Sequence, residues 1–251
     1  MLAAFADVSI YQLALVAGVA LLASIVGGVA GYGTGALMPL VLVPIVGPEP
    51  VVPIIAMAGL LTNSGRVVAF LRYVDWRRVT LVSVGAIPPC LVAAYGFTLL
   101  TGQGIQLLIG AMLIATVPLR YLLRRRAVLL SDRGLVLGSV GYGAAVGGTV
   151  GAGVILLSLL MATGLQGAAV IATDAVLSIA IGASRLTVFA WAGAITPQTI
   201  AFALLIGIVA FPGAFLAKTF VTRLPIHVHT YILDAVVLFG GAVMVYGALV
   251  R

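Results

Sequence analysis

The sequence is poor in charged residues and in cysteine. Its 251 residues include 13 basic and 6 acidic side chains, and charged residues make up 8% of the chain, against about 25% in a typical soluble domain. So few polar side chains could not cover the surface of an ordinary cytosolic enzyme, which excludes that class. A disordered chain is excluded by the opposite property, because 63% of the residues are hydrophobic. The single cysteine, Cys90, allows neither an internal disulfide nor a cysteine-based metal site.

Basic residues are absent from the first part of the chain, where Arg66 is the first Lys or Arg. Because a cleavable signal peptide needs a positively charged start, we expect the N-terminal segment to be retained as the first membrane segment. A net charge of +7 would indicate nucleic acid binding in a soluble protein. Here we interpret it as charge on cytoplasmic loops, and we expect no nucleic-acid partner.

Ten apolar runs fill most of the chain. They are continuous rather than alternating, which excludes an outer-membrane barrel, and in lipid only a helix can satisfy such a backbone by itself. The sequence therefore predicts an all-α, multi-pass helical bundle in the cell (inner or plasma) membrane, with the lipid bilayer as its surroundings. The runs lie at 8–30, 36–46, 51–71, 79–101, 104–123, 134–150, 154–164, 167–191, 197–219 and 228–250.

Two of these runs, 36–46 and 154–164, are too short to cross a bilayer, because 11 residues of helix span only about 16 Å. Each follows a glycine-rich break, at residues 31–35 and 147–153. Superposing the breaks predicts two pseudo-symmetric transmembrane repeats, residues 1–127 and 128–251, each opening with a broken helix. Paired broken helices are typical of transporters that bind their substrate near the membrane midplane.

Two topologies are compatible with this repeat. If each broken helix crosses once, the chain has eight spans and the halves are parallel. If its two arms count separately, each half has five segments and the halves are inverted. The basic loops at 72–78 and 120–133 are predicted to be cytoplasmic. Lys218 and Arg223 then lie outside in the parallel arrangement and inside in the inverted one, which basic-residue placement favours slightly.

Most charged residues lie at loop positions, but four have apolar sequence around them and need a different explanation: Arg66, Asp174, Arg185 and Asp234. A charge near the bilayer centre costs at least ~2.5–3.5 kcal/mol, so each is a candidate functional residue. Arg66 shares a helix face with Asn63, and its guanidinium matches an oxyanion with two parallel hydrogen bonds. The alternative for Arg66 is that it extends to the membrane interface. The alternative for Asp234 is a helix-end charge or a partner for a loop residue.

Asp174 and Arg185 lie on one run, but eleven residues of helix separate them by about 16 Å, so they cannot pair directly. Arg66 of the other half is the candidate partner of Asp174. Asp174 and Ser178 present an acid and a hydroxyl on one face. A carboxyl group away from water favours its neutral form, which suits a proton-coupling acid. The alternative is a structural Asp–Arg pair between two helices.

The glycine triplets at 33–35 and 151–153 have two compatible interpretations. They open a helix inside the membrane, so that amides at the start of each short helix point at an anion. Alternatively, glycines spaced by four, at 27, 31 and 35 and at 143, 147 and 151, let helices approach closely. We find no nucleophile–base set and no metal-binding motif, and we predict no enzyme activity, cofactor or metal. The predicted substrate-binding residues are Gly33, Thr34, Gly35, Asn63, Arg66, Gly151, Gly153, Asp174, Ser178 and Arg185.

The same residues carry a family resemblance. The duplicated glycine motif, followed by Asn63-Ser-Gly-Arg66 and Tyr73-Val-Asp75-Trp76-Arg77, resembles the TauE/SafE sulfite exporter family, which includes the toluene sulfonate uptake permeases. The resemblance implies a carrier of sulfite, organosulfonates or related organic anions. The second half has Ala194-Ile-Thr-Pro197 where the first has its Asp-Trp pair, so that pair is not a repeated element.

These observations together predict a transporter that binds a small anion at the midplane between the broken helices. Asp174 would couple a proton or hold Arg66 when the site is empty. A passive anion channel and a non-transporting scaffold subunit are the alternatives. Faces of small residues permit a homodimer without requiring one.

Overall fold

The computed structural model describes residues 5, 8–30, 33–125, 129–220 and 226–250, and within its helices the side chains at 26–30, 123–125, 213–220 and 226–233 are outside that description. The described residues form an all-α fold of ten helices, as the sequence predicts. The predictions for Gly27, Gly31, Lys218 and Arg223 lie outside the described residues. The helices are α1 (Ile10–Ala30), α2 (Gly33–Val46), α3 (Val51–Phe70), α4 (Trp76–Thr98), α5 (Gly102–Arg125), α6 (Asp132–Gly148), α7 (Gly153–Ala162), α8 (Ala168–Trp191), α9 (Pro197–Phe220) and α10 (Ile226–Val250).

The helices differ in whether they can cross a bilayer. Among the described residues, four segments are long and apolar enough to do so: Val51–Tyr73, Trp76–Thr98, Gly102–Leu122 and Ala168–Trp191. In contrast, α2 has 14 residues and α7 has 10, which gives lengths of about 21 and 15 Å. Both are well short of a hydrocarbon core of about 30 Å. The two short elements predicted from the sequence are therefore present.

Helices α4 and α8 run parallel and define two opposite faces of the bundle. Where they begin, the backbone N–H of Asp75 donates to Thr173 Oγ1 at 3.0 Å. We call this end the basic face, after Arg72, Arg77 and Arg78. Where they end, aromatic rings meet in two pairs, Tyr95 with Trp191 and Phe97 with Phe189, with centroids 6.1 and 5.6 Å apart. We call this end the aromatic face.

Helices α6 and α7 form a hairpin that enters from the basic face. The backbone N–H of Leu130, just before α6, donates to the carbonyl of Ala162 at the end of α7 over 2.7 Å. Asp132, the first residue of α6, forms a salt bridge with Arg77. Arg78 Nη2 donates to the carbonyl oxygen of Thr163, just after α7, at 2.9 Å. Both arms of this hairpin therefore have their outer ends on the basic face.

Helices α1 and α2 pack against each other and form a second hairpin, which enters from the aromatic face. Phe5, before α1, packs edge-to-face on Phe202 in the first turns of α9, with ring centroids 5.2 Å apart. The Glu49 carboxylate, after α2, lies against Gly102, where α5 begins. Because α5 and α9 follow directly after α4 and α8, both of these contacts are on the aromatic face.

The hairpin arms pack on long helices of the opposite half, α6 along α4 and α1 along α9. The α4–α6 contact is close enough to require glycine. A Cβ atom on Gly143 would lie 2.1 Å from the carbonyl oxygen of Ala86, and one on Gly147 would lie 2.3 Å from that of Cys90. The close-packing interpretation is therefore correct for Gly143 and Gly147, and it explains how α6 is held rigidly beside α4.

Candidate functional site

The tips of the two hairpins meet inside the bundle, where α2 begins and the chain breaks between α6 and α7. A Cβ atom on Gly35 would lie 3.0 Å from the backbone nitrogen of Gly151. Gly151 itself has a φ of 85°, a conformation that side-chain-bearing residues rarely adopt. Glycine is needed at both positions because the two backbones touch.

A cavity of about 150 Å³ adjoins this contact and is lined by residues from α2, α3, α6, α7 and α8. All ten residues predicted as a site line it, so the structure brings together residues that are up to 152 positions apart in the chain. Its wall also contains the polar residues Thr62, Tyr142 and Thr149. The apolar and glycine part of the wall consists of Ile55, Ala56, Gly59, Val146, Val150, Ala152, Ile181 and Gly182.

Two helix N-termini form part of the cavity wall. Helix α2 begins at Gly33 and helix α7 begins at Gly153. The first amides of a helix have no carbonyl partner within it, and the aligned peptide dipoles place about half a positive charge at this end. No side-chain hydrogen bond caps the start of α7. The two N-termini therefore present N–H donors and positive potential to the same small volume.

Arg185 is deeply buried, with 8% of its surface exposed, and it reaches from α8 to the broken end of α6. Its Nη1 donates to the carbonyl oxygens of Val146, at 2.6 Å, and Thr149, at 3.2 Å. These carbonyls belong to the last turn of α6, where a cation offsets the negative end of the helix dipole. Its Nε has no hydrogen-bond partner among the described residues. One part of the guanidinium therefore bonds the carbonyl groups at the end of α6, which the sequence did not predict.

Asp174 is also buried, with 5% of its surface exposed. The charge of Arg66, across the cavity on α3, lies within electrostatic reach of its carboxylate. The described residues provide no hydrogen bond or ion pair to that carboxylate. The proposed Arg66 partner is therefore near Asp174, but a direct pair is not formed. The alternative of a structural Asp–Arg pair does not apply to Asp174 in this structure.

Asn63 and Ser178 lie on the helix faces that the sequence predicts, because each lines the cavity beside its charged neighbour, Arg66 or Asp174. The Asn63 amide group is not fully available, however. Its Nδ2 donates to the carbonyl of Gly59 on its own helix at 2.9 Å. We expected an amide donor facing the same way as the guanidinium, and the amide donates to its own backbone instead.

Tyr142 is a lining residue that the sequence argument missed. It projects from α6, has 3% of its surface exposed, and lies within electrostatic reach of Asp174 and Arg185. A signal was present in the sequence, because the triplet Gly-Tyr-Gly occurs both at 31–33 and at 141–143. The first copy is only partly within the described residues.

The whole-chain pattern agrees with a known family. A family model described as sulfite exporter TauE/SafE matches residues 16–244. The chain belongs to the TauE/SafE sulfite exporter family. No curated relative and no solved structure matches it. TauE/SafE proteins are membrane transporters, and the helical bundle with its long apolar segments agrees with that class.

The stretch that carried the TauE/SafE resemblance forms an ion-pair cluster on the basic face. Asp75 caps α4 by accepting the Arg78 backbone N–H at 3.0 Å, and its carboxylate also pairs with the Arg78 side chain. Arg78 Nε donates to Thr163 Oγ1 at 2.7 Å. Burial favours a higher pKa for the Asp75 carboxyl, but the Arg78 hydrogen bonds and the Arg78 and Arg77 charges hold that pKa below its ordinary value. The cluster joins α4 to the end of the α6–α7 hairpin.

A second buried charge pair links α5 to α10 in this TauE/SafE chain. Arg120 Nη2 bonds the Asp234 carboxylate, with both side chains less than a tenth exposed. The Tyr121 hydroxyl donates to the same carboxylate at 3.0 Å. The sequence prediction that Arg120 belongs to a cytoplasmic loop is wrong, because α5 continues to Arg125. The helix-end interpretation of Asp234 is wrong as well, because Asp234 lies slightly more than two turns inside α10.

Metal ligands are not grouped in the part of the chain that the structure describes. No set of three or more His, Cys, Asp or Glu side chains comes close enough to hold an ion there. The polar groups that the cavity wall does offer include backbone N–H groups at two helix starts, two guanidinium groups and one carboxylate.

Proposed function

We propose that this protein transports a small sulfur oxyanion, sulfite or a short organosulfonate, across the cell membrane, and that the anion binds in the cavity between the hairpin tips. The observation that carries the proposal is the convergence of two helix N-termini and two arginines on one small cavity. Family membership supports the sulfur anion as the cargo.

The charge in the cavity supports an anionic ligand. Arg66 and Arg185 contribute two positive charges and Asp174 one negative charge, a formal excess of one. The N-termini of α2 and α7 add about half a charge each. The C-terminus of α6, whose carbonyls accept from Arg185, subtracts about half a charge, and the total remains positive. An anion therefore fits the potential, and a cation does not.

The cavity volume supports a small ligand. Pockets for drug-sized molecules usually enclose about 300–1,000 Å³, whereas this one encloses about 150 Å³. Its wall has glycine at five or more positions, which keeps backbone N–H groups within reach of the ligand. Sulfite and short sulfonates suit this volume better than aromatic sulfonates do.

The hairpins support the inverted arrangement of the two halves, residues 1–127 and 128–251. One hairpin has both outer ends on the aromatic face and the other has both on the basic face. If the basic face is cytoplasmic, the first hairpin enters from outside and the second from inside. Binding between such repeats is typical of carriers that expose one site alternately to each side. We propose the same cycle here, with Asp174 as the group that couples a proton.

The proposal is tested by sulfite uptake into proteoliposomes, comparing the wild type with Arg66→Lys. Lysine keeps the charge but loses the planar pair of donors, and loss of a charge-assisted hydrogen bond weakens binding by roughly ten- to a hundredfold. We expect saturable, proton-dependent uptake that falls by that factor in the variant. Arg77→Lys is the matched control, because Arg77 is 73% exposed on the basic face, and it should transport normally.

Three outcomes would contradict the proposal. Normal uptake by Arg66→Lys would show that the Arg66 guanidinium is not needed to bind the anion. Flux that neither saturates nor depends on protons would indicate a channel. A well-folded protein that moves no anion from a panel of sulfite, sulfate, thiosulfate, short sulfonates and short carboxylates would indicate a scaffold subunit.

A further inference from the structure

We propose that Tyr142 is a ligand-binding residue of the cavity, and that its hydroxyl donates a hydrogen bond to an oxygen of the bound oxyanion. The inference rests on the proposed function and adds a residue to the site. Tyr142 lines the cavity and is 3% exposed.

The Tyr142 side chain is 3% exposed and its hydroxyl forms no hydrogen bond with another described residue, but the oxygen atom itself is not completely enclosed, so it opens onto the cavity that the side chain lines. Burying a hydroxyl without a partner is unfavourable, and most buried polar groups find one. Other hydroxyls of α6 solve this locally: Ser139 donates to the carbonyl of Leu135 at 2.7 Å, and Thr149 donates to that of Ala145. A tyrosine hydroxyl stands too far from its own backbone to do the same. The partner of this hydroxyl therefore comes from the cavity contents, which are water when the site is empty and an oxygen of the anion when the ligand is bound.

The position of Tyr142 suits an oxyanion. Its side chain lies within electrostatic reach of both Arg185 and Asp174, so it stands between the cationic and the acidic parts of the wall. Arg185 Nε also lacks a partner among the described residues. An anion with several oxygen atoms can accept from both donors at once, through different oxygens. A phenol is a neutral donor, so it adds a directional hydrogen bond without changing the charge of the site.

The equivalent position in the first half has a different role. The superposition of residues 33–35 on 151–153 places Ser24 opposite Tyr142. Ser24 Oγ donates to the carbonyl of Ala210 on α9 and is absent from the cavity wall. Of these two equivalent positions, only Tyr142 in the second half contributes to the cavity wall.

Tyr142→Phe tests the inference, because it removes one oxygen atom and keeps the ring. Tyr121→Phe is the matched control, since the Tyr121 hydroxyl has a partner in Asp234 at 3.0 Å. The measurements are the sulfite dissociation constant and the ligand-free melting temperature of the purified full-length protein, together with KM and kcat for uptake. For Tyr142→Phe we expect sulfite binding weakened by roughly tenfold or more, a higher KM, and a melting temperature equal to or above that of the wild type. For Tyr121→Phe we expect unchanged sulfite binding and a lower melting temperature.

The possible outcomes distinguish failure of this inference from failure of the proposed function. Sulfite affinity and KM unchanged in Tyr142→Phe, with the wild type binding sulfite, would overturn the role of Tyr142 and leave the transporter proposal standing. A ligand-free melting temperature that falls, or a variant that fails to fold, would show a structural role for the hydroxyl and would also overturn it. If the wild type binds none of the oxyanions, both proposals fail together.

Discussion

Replacing Gly143 by alanine tests whether the close approach of α4 and α6 holds the site together. The new Cβ atom would lie 2.1 Å from the carbonyl oxygen of Ala86 and 2.7 Å from its Cα. Ordinary contacts are about 3.4 Å or longer, so the two helices must separate by about 1 Å. Overpacking costs roughly 1–3 kcal/mol, and the upper part of that range applies because the clash is with backbone. Alanine has a higher helix propensity than glycine, which offsets about 1 kcal/mol of this cost. The free energy of unfolding should therefore fall by about 2 kcal/mol.

Gly141→Ala is the matched control on the same helix. A Cβ atom there meets nothing within 4 Å, so only the helix-propensity gain of up to about 1 kcal/mol applies. Reversible unfolding in mixed micelles should therefore give opposite signs for two substitutions that are two residues apart. Sulfite uptake should fall with Gly143→Ala as well, because α6 carries Tyr142 and misplacement of a binding group by about 1 Å can cost on the order of a hundredfold in rate. Equal stability of the two variants, within about 0.5 kcal/mol, would refute the close-packing argument.

The remaining predictions concern the cluster on the basic face. Arg78→Ala should lower the melting temperature, because it leaves the Thr163 carbonyl and the Asp75 carboxylate without their side-chain partner. Arg77→Ala should change the melting temperature little, since exposed ion pairs contribute about 0–1 kcal/mol. Equal effects of the two substitutions would contradict this prediction. Asp75→Asn should lower stability at neutral pH, since the ionised carboxylate is favoured in the folded state. A lowered pKa gives stability that is present above the unfolded value of about 3.9 and is lost as the pH falls through the folded value. The gap between wild type and Asp75→Asn should therefore stay constant from about pH 7 to pH 5 and close only below about pH 4; a gap that closes near neutral pH would show that another group is responsible.

The positions of the helices could be predicted well because each depends on a local property of the sequence. The short run 36–46 became α2 (Gly33–Val46), and 154–164 became α7 (Gly153–Ala162). Length in apolar residues decides whether a segment spans a bilayer, and glycine decides where a helix breaks. The candidate site could be predicted from the same two properties, together with the high cost of a charge in an apolar run.

What could not be predicted depends on which groups meet across the fold. Arg185 was expected to face a ligand, and part of its guanidinium caps the end of α6 instead. Arg120 was assigned to a loop, and it forms a buried pair with Asp234 across α5 and α10. In both cases the partner is distant in sequence: Arg185 and Thr149 are 36 positions apart, and Arg120 and Asp234 are 114 positions apart. No periodicity within one segment indicates such a partner.

The Asp75 motif has a structural reason for occurring in one half only. Asp75 and Thr196 are equivalent helix caps, each accepting the N–H of the residue three positions later, Arg78 or Thr199. Only Arg78 can extend beyond its own helix with a charged group, and it does so to Thr163 at the end of the α6–α7 hairpin. The hairpin on the aromatic face is held by ring packing of Phe5 on Phe202 instead. The two hairpins are therefore fastened by different forces, and a movement that opens the basic face must break ion pairs, whereas one that opens the aromatic face must separate apolar rings.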